Sequence, residues 1–351
     1  MLGVLLLVRV ASADDLLHVG NSYTFFNDLE LVTRGLLAQA DAARWSEGRT
    51  VRLADGGLRF VDHLARTEQD GSGWQAALAG TDTWDWVVLQ EQSQIPGFPQ
   101  DQSDFRASRR AAQDLDERVE ASGAQTLLLL TWGRRAGDEA NRERFPDFTT
   151  MQAALTDGYL AYRDATSTEA RPTWIAPAGP AFARVYAATL TAGEEPLAAG
   201  SRFSRLYTED GSHPSPLGTY LTACVLTGTI TGRPTSGLLP SPGVTADDAA
   251  WLQSAADATV HDTALPFTYP WSGTSPDDGD TGAATDTAQV DTGDGPDTAA
   301  PDSETDGDDT HACGCDSSPA PASTGWRVPL LALLALLGAL ASRRVGGRTR
   351  A

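Results

Sequence analysis

The sequence predicts an α/β domain with a doubly wound, flavodoxin-like parallel sheet that has helices on both faces. Four short apolar runs, LLHVG, WDWVVLQ, AQTLLLLTW and TWIAPAG, have the composition of strands buried on both sides. Amphipathic, alanine-rich stretches of helical length separate these runs. Because strands that alternate with helices build parallel βαβ units, the order favours a three-layer α/β/α architecture.

Each element follows from a local pattern along the chain. The first strand, LLHVG at 16–20, ends at Gly20, where the backbone can turn tightly. VRLADGG at 51–57 supplies one more candidate strand, and an apolar helix starts soon after His213. The other predicted helices have periodic apolar positions: LELVTRGLLAQADAA (29–43), FVDHLARTEQ (60–69), ASRRAAQDLDERVEAS (107–122) and MQAALTDGYLAYRDA (151–165).

The segment before the domain reads as a secretory signal peptide over residues 1–13. MLGVLLLVRVASADD has an apolar core and an Ala-Ser-Ala ending before Asp14. No basic residue precedes the core and Arg9 interrupts it, so a buried first strand stays as the alternative and the start codon is open. The predicted globular domain then covers residues 14–270.

The composition changes after the domain. Residues 271–325 are mostly Asp, Thr, Gly, Ala, Ser and Pro, from which no apolar core can form, so a solvated acidic linker is expected. Residues 326–342 are mostly apolar, and we expect them to form a short membrane anchor. A full transmembrane helix takes about 20 residues, so this segment is only just long enough. Arginines dominate residues 343–351, which fits a cytoplasmic tail and places the domain outside the cytosol.

Charge and cysteine content narrow the functional classes. The formal net charge is −21 and the pI about 4.5, a poor profile for binding phosphate backbones, so we expect no nucleic-acid partner. Of the three cysteines, Cys224 lies in an apolar stretch, and Cys313 and Cys315 are one residue apart. The domain therefore has no expected disulfide framework. No metal-ligand spacing or phosphate-binding glycine loop stands out, so neither a metal nor a cofactor is expected.

Ser22 follows the first strand in the stretch LLHVGNSYTFFNDL. Open parallel sheets bind ligands at the carboxyl ends of their strands, and a helix N-terminus there favours negative charge. Ser22 is therefore a candidate nucleophile, with its own N–H available to an oxyanion. The alternative is a helix N-cap, because serine is a favoured capping residue.

A serine nucleophile needs a base, and His213 is the best candidate among the five histidines. It lies in YTEDGSHPSPLG, ahead of the last apolar helix of the domain. Asp210 precedes it by three residues, so its carboxylate can hold the imidazole while the other ring nitrogen takes the serine proton.

Four blocks together resemble the SGNH (GDSL-type) hydrolases, over roughly residues 15–235: VGNSYT, ADGG, VVLQEQS and DGSHPSPLG. The match is closest to an uncharacterised branch that opens with Gly-Asn-Ser instead of Gly-Asp-Ser. The resemblance implies that Ser22 is the nucleophile and that Asp210 and His213 complete the triad. It also implies an oxyanion hole made by the N–H of Ser22, a glycine N–H of the second block and a side-chain amide of the third block.

The oxyanion hole is where the chain departs from that pattern. Gly56 and Gly57 both fit the second block, and Gly57 is preferred. The third block has no asparagine, and Gln90 is the nearest equivalent because its amide can donate the same hydrogen bond on a longer arm. Gln92 is the second choice, and a surface amide is the alternative for Gln90.

Two further residues are candidate substrate contacts. Asn21 either donates to the substrate or braces the Ser22 turn, and Trp132 either lines the pocket or packs in the core. The predicted function is a secreted serine esterase that removes an acyl group, acetyl above all, from a carbohydrate, with lipid esters also open. A non-catalytic glycan-binding or adhesion module on the same fold is the alternative.

The end of the chain resembles the myxobacterial-type C-terminal sorting tail. The matching parts are Cys313-Gly314-Cys315, the apolar run at 328–341 and Arg343-Arg344. The resemblance implies a processing protease that acts near the cysteines and display on the cell surface. A plain single-pass anchor is the alternative.

Overall fold

The computed structural model describes residues 13–272, and a five-stranded parallel sheet forms its centre. The strand order is β2-β1-β3-β4-β5, which is the flavodoxin-like order of a doubly wound sheet and confirms the predicted fold class. The strands are β1 (Leu16–Gly20), β2 (Thr50–Ala54), β3 (Trp86–Leu89), β4 (Gln125–Leu129) and β5 (Trp174–Ala176).

Helices cover both faces of the sheet. One layer contains α2, α8, α9 and α10, and the other contains α4, α5, α6 and α7. The helices are α1 (Ser22–Phe25), α2 (Leu29–Ala40), α3 (Ala42–Trp45), α4 (Phe60–Thr67), α5 (Gly73–Leu78), α6 (Ser103–Ala121), α7 (Phe148–Thr166), α8 (Ala178–Thr191), α9 (Pro216–Thr231) and α10 (Ala246–Val260).

The sheet divides the core into two apolar clusters. In β1, Leu16 packs with the α2–α9 layer, while Leu17 and Val19 pack with the α4–α6 layer. All five residues of β1 are buried, which explains why the strand reads as a continuous apolar run rather than an alternating one. The helix α9 is likewise buried from Leu217 to Ile230, because α2, α8 and α10 pack around it.

The carboxyl ends of β1 and β3 are adjacent at the point where the strand order reverses. Chain order runs outward from β1 to β2 on one side and to β3, β4 and β5 on the other. Both the segment that starts at Asn21 and the segment that starts at Gln90 leave the sheet there. Such a switch point is where ligands bind in open α/β sheets.

Several element boundaries differ from those predicted. The strand expected at 173–179 ends at Ala176, because Pro177 ends the strand pairing and α8 begins at Ala178. The helices α8 and α10 were not among the predicted ones. The helix predicted over 29–43 is interrupted at Asp41, where α3 takes over.

Much of the predicted organisation outside the domain cannot be placed on this structure. Residues 1–12 of the predicted signal peptide and residues 273–351, with the linker, the anchor and the arginine-rich tail, lie outside the described residues. Across residues 13–272, no helix combines the length and the apolar character needed to cross a membrane.

Candidate active site

Ser22, His213 and Asp210 lie in one line of hydrogen bonds at the carboxyl edge of the sheet. The Oγ of Ser22 is 2.8 Å from Nε2 of His213. The Nδ1 of the same ring is 2.6 Å from Oδ2 of Asp210. Ser22 follows β1, and the other two residues lie in the loop before α9, so the fold brings together side chains 191 positions apart. This is the geometry of a serine, a base and an orienting carboxylate.

The residue that caps α1 is Asn21 and not Ser22. The Oδ1 of Asn21 accepts from the N–H of Tyr23 at 3.1 Å, and its Nδ2 donates to the Leu58 carbonyl at 3.0 Å. With the cap supplied by its neighbour, Ser22 is the first helical residue and its hydroxyl turns to His213. Asn21 is 2% exposed, so it braces the turn, and the structure does not support it as a substrate contact.

Gly20 is required at this turn by close approach rather than by an unusual backbone angle. A Cβ on Gly20 would lie 2.2 Å from Oγ1 of Thr24 and 2.6 Å from Oε1 of Gln90. Both contacts are far below any real Cβ separation, so a side chain there would push the Ser22 turn away from the sheet.

Hydrogen bonds to the carboxylate of Asp210 favour its ionised form. Its Oδ1 accepts from the N–H groups of Ser212 (2.8 Å) and His213 (2.9 Å) and from the hydroxyl of Thr208 (2.8 Å). Burial alone would raise the pKa of Asp210, but these bonds and the one from His213 hold that pKa well below its ordinary value. An ionised carboxylate keeps the proton of the imidazole on Nδ1 and leaves Nε2 to accept the proton of Ser22.

The loop that carries His213 is held by the segment that follows β4. The indole Nε1 of Trp132 donates to the Ser212 carbonyl at 3.1 Å. The N–H of Arg135 donates to the Gly211 carbonyl at 2.8 Å. The carbonyls of Gly211 and Ser212, just before His213, are therefore fixed by groups from the segment after β4, which limits how far the imidazole can move.

Trp132 has a packing role, so its prediction as a substrate contact is wrong. It has no exposed surface, because its ring lies between Tyr23 (centroids 4.8 Å apart) and Phe182 (4.5 Å) in a nearly parallel stack. The alternative of core packing is the one that the structure supports, with the hydrogen bond to Ser212 as its link to the site.

Gln90 is also placed differently from the prediction. Its Oε1 accepts from the N–H of Asn21 (3.0 Å) and from the hydroxyl of Thr24 (2.9 Å), and its Nε2 donates to the Glu91 carbonyl. Because a backbone N–H can only donate, the first of these bonds fixes which end of the amide is the oxygen. Gln90 has no exposed surface. It therefore supports the nucleophile turn from below, and this geometry contradicts its assignment as an oxyanion donor.

Three other groups remain as candidate oxyanion donors. Within the described residues, the N–H groups of Ser22 and Gly57 have no acceptor. Gly57 has a φ of +71°, which suits glycine, and its turn is attached to the nucleophile through the Leu58 carbonyl that Asn21 binds. Gln92 is partly exposed, and its Nε2 donates one hydrogen to Gln94 at 3.0 Å, which leaves the second hydrogen free.

Sequence reasoning missed the aromatic residues around the base. Tyr23 donates to or accepts from Ser212 Oγ at 2.7 Å, and Phe26 stacks on the imidazole of His213. The only signal was the aromatic stretch after Ser22, whose side-chain directions cannot be read from the sequence.

Two buried titratable groups below the site were also missed. Burial lowers the pKa of His63 to about 4, and its Nδ1 accepts from the indole of Trp74 at 2.8 Å. Burial raises the pKa of Glu91 to about 7, although Ser108 and backbone N–H groups donate to its carboxylate. His63 lies next to the backbone of Gly20, and Glu91 accepts a hydrogen bond from the N–H of Gln92.

No protein-family profile matches this chain, and no curated protein matches it. Among solved structures, it is similar to a candidate SGNH hydrolase from Slackia heliotrinireducens at 29% identity, over 62% of this chain and 99% of that one, with a TM-score of 0.45. A DUF4886 family protein from Bacteroides uniformis is 17% identical over 71% and 96% of the two chains, with a TM-score of 0.53. A variant of an acetyl-xylooligosaccharide esterase from Geobacillus is 16% identical over 62% and 94%, with a TM-score of 0.42. The likeness to the DUF4886 protein shows a shared fold and carries no activity with it.

Proposed function

We propose that this protein is a serine hydrolase that cleaves a carboxylic ester by an acyl-enzyme mechanism. The observation that carries the proposal is the continuous line from Ser22 Oγ through His213 to Asp210, with separations of 2.8 and 2.6 Å. Both separations are within hydrogen-bond reach, which is the geometric requirement for a base and the group that orients it.

In the first half-reaction, Ser22 Oγ attacks the ester carbonyl while its proton passes to Nε2 of His213. Asp210 stabilises the imidazolium that results. The N–H groups of Ser22 and Gly57 bind the oxyanion, and Gln92 is the third donor because Gln90 is engaged in the turn. The tetrahedral intermediate collapses as the imidazolium gives its proton to the leaving alkoxide.

In the second half-reaction, water takes the place of the alcohol. His213 removes a proton from this water, which attacks the acyl-serine carbonyl and forms a second tetrahedral intermediate. Its collapse releases the carboxylic acid and returns the proton to Ser22 Oγ. Every proton moves between the substrate, water and these two side chains, so the cycle needs no cofactor.

The substrate is an acylated, and above all an acetylated, carbohydrate in this proposal. The side chains of His213 and Asp210 are 27% and 49% exposed, so the leaving-group side of the site is open to a bulky alcohol such as a glycan. The enzyme is further proposed to act outside the cytosol, displayed on the cell surface through its C-terminal anchor and sorting tail.

The test is hydrolysis of p-nitrophenyl acetate by the purified full-length chain, beside Ser22→Ala and His213→Ala. Wild type should turn over, and each variant should lose about 10³-fold or more in kcat. The exposed Ser46 gives a matched control, because Ser46→Ala removes a hydroxyl distant in sequence from the site. A fluorophosphonate should label Ser22 in wild type, as mass spectrometry of the peptides would show.

The opposite outcome is equally clear. If folded wild type is no faster than Ser22→Ala on p-nitrophenyl acetate and on short thioesters, the protein is not a hydrolase of this type. The non-catalytic glycan-binding module would then be the better account. Active wild type also permits a screen of acetylated xylan against triacylglycerol, which separates the glycan from the lipid substrate class.

A further inference from the structure

Phe26 covers one face of the imidazole of His213. The ring centroids are 4.3 Å apart and the planes differ by 14°, so the two rings are stacked face to face. Tyr23 meets the same imidazole edge-on, at 5.7 Å and 68°. The imidazole is therefore in contact with one ring along its face and another along its edge.

His213 needs such support because its hydrogen bonds leave one rotation free. Imidazole nitrogens direct their hydrogen bonds in the plane of the ring, and both nitrogens of His213 are engaged. These bonds resist displacement along that plane and resist tilting out of it only weakly. The side chain is 27% exposed, so solvent rather than packed protein lies on part of its surface. A flat aromatic ring against the face opposes the tilt.

Phe26 is held in place by two residues with unusual backbone angles. Asn27 has a φ of 52° and Asp28 a φ of 53°, the left-handed region that non-glycine residues seldom adopt. The Nδ2 of Asn27 donates to the Pro214 carbonyl at 3.0 Å and to Oγ1 of Thr219 at 2.9 Å. Asn27 thus ties the segment of Phe26 to the residue that follows His213. Strained backbone of this kind persists where neighbouring contacts enforce it, and it clusters at functional sites.

We propose that Phe26 is a positioning residue for His213 and that Asn27 is the anchor that keeps Phe26 against the imidazole. The ring holds the plane of the imidazole so that Nε2 stays directed at Ser22 Oγ during proton transfer. This inference rests on the proposed hydrolase function and deepens it. Neither residue is proposed to touch the substrate.

The expected signature is a loss of kcat without a change in KM. A displacement of about 1 Å in a reacting group can cost about 10²-fold in rate. Phe26→Leu, which keeps an apolar side chain and removes the flat ring, should lower kcat roughly 10- to 100-fold with KM within about twofold. Phe26→Tyr restores the ring and should recover most of the wild-type kcat.

Two further variants separate positioning from general packing. Phe25 is similarly half-buried and stacks on Phe26 rather than on the imidazole, so Phe25→Leu should change kcat by less than about threefold. Asn27→Gly keeps the left-handed backbone accessible but removes both anchoring hydrogen bonds, and it should lower kcat in the same direction as Phe26→Leu. It also keeps the test valid if Phe26→Leu fails to fold.

The deciding experiment is a double-mutant cycle with His213→Ala on p-nitrophenyl acetate, with circular dichroism to establish that each variant is folded. If Phe26 acts through the imidazole, Phe26→Leu should have no further effect on the residual rate of His213→Ala. An equal loss in both backgrounds, or a rise in KM with kcat unchanged, would overturn the inference. If Ser22→Ala is inactive while Phe26→Leu and Asn27→Gly equal wild type, this inference alone fails. If Ser22→Ala is as active as wild type, the proposed function fails first.

Discussion

Glu91, in the third sequence block, has a carboxylate with no exposed surface, and its replacement by glutamine should stabilise the protein at alkaline pH. Its Oε1 accepts from the N–H groups of Phe60 (3.0 Å) and Gln92 (2.6 Å), and its Oε2 accepts from Ser108. In Glu91→Gln, the amide oxygen can keep both backbone bonds and Nε2 can donate to the serine hydroxyl. That hydroxyl can reverse its role, because either oxygen of its contact with Tyr162 can be the donor.

The magnitude follows from the change in pKa on folding. Burial raises the pKa of Glu91 from 4.5 to about 7, so the native state holds this proton more tightly than the unfolded chain does. The contribution of Glu91 to stability is therefore complete below pH 4.5 and is lost as the pH rises through 7. At about 1.4 kcal/mol for each pH unit of difference, the loss amounts to about 3 kcal/mol above pH 8. Glutamine carries no charge at any pH and avoids it.

The assay is urea unfolding followed by tryptophan fluorescence, for wild type and Glu91→Gln, between pH 5 and pH 9. The variant should gain about 3 kcal/mol on wild type across this range, most of it between pH 5 and pH 8. Taking the difference at each pH cancels the titration of every group that the two proteins share. The exposed Glu120 provides the control, because Glu120→Gln makes the same chemical change on the surface of α6. A difference for Glu91→Gln that does not change with pH would refute the reasoning.

Gln92→Ala should lower kcat by about 100-fold, with some loss of unfolding free energy because Oε1 of Gln92 accepts from the N–H groups of Gln94 (2.8 Å) and Ile95 (3.3 Å). Gln90→Ala should lower the unfolding free energy by about 1–3 kcal/mol, because it leaves a buried N–H unpaired. Steady-state kinetics and urea titrations on both variants check this, and the reversed pattern would return the oxyanion role to Gln90. Trp132→Phe keeps a stacked aromatic ring but removes the indole N–H that donates to the Ser212 carbonyl. The kcat should therefore fall about 3- to 10-fold at constant KM. An unchanged kcat would show that this hydrogen bond does not restrain His213. Burial lowers the pKa of His63 to about 4 and that of His18 to about 3. As the pH falls below 6.5, these two histidines bind protons in the unfolded chain before they do so in the native state. The unfolding free energy should therefore decrease as the pH drops from 6.5 towards 4. His63→Gln should reduce this acid sensitivity in the same urea titrations, and equal sensitivity would contradict the assignment.

The sheet was predictable because its strands are buried on both faces. Runs such as LLHVG and WDWVVLQ are mostly apolar because a layer of helices packs against each face of their strands. Their alternation with helical segments indicated that the strands are parallel. The helix α8 was harder to predict, since its first turn contains Pro180 directly after a strand-like run. Proline is tolerated there because the first helical residues have no N–H partner inside the helix.

The triad residues were predictable for a different reason. Ser22 lies immediately after a buried strand and Asp210 is three residues from His213, which made each a candidate, and the resemblance of the four sequence blocks to a known family grouped them into one site. The role of Gln90 was not predictable. The sequence places it at the end of β3, but whether its amide turns towards the cleft or under the neighbouring turn depends on the exact approach of the two segments, including the space left by Gly20.

Ser22 and His213, the proposed nucleophile and base, are each held by their own set of contacts, and several predicted substrate contacts belong to these sets. Asn21 and Gln90 fix the turn of Ser22 against the ends of β1 and β3, while Trp132 fixes the loop of His213 from the end of β4. Tyr23 belongs to both sets, because it follows Ser22, stacks on Trp132 and hydrogen-bonds Ser212. The polar and aromatic residues that sequence reasoning assigned to the substrate are thus used to keep two loops in register. The donors proposed for the oxyanion are then the N–H groups of Ser22 and Gly57, which the sequence blocks had already suggested, and the side chain of Gln92.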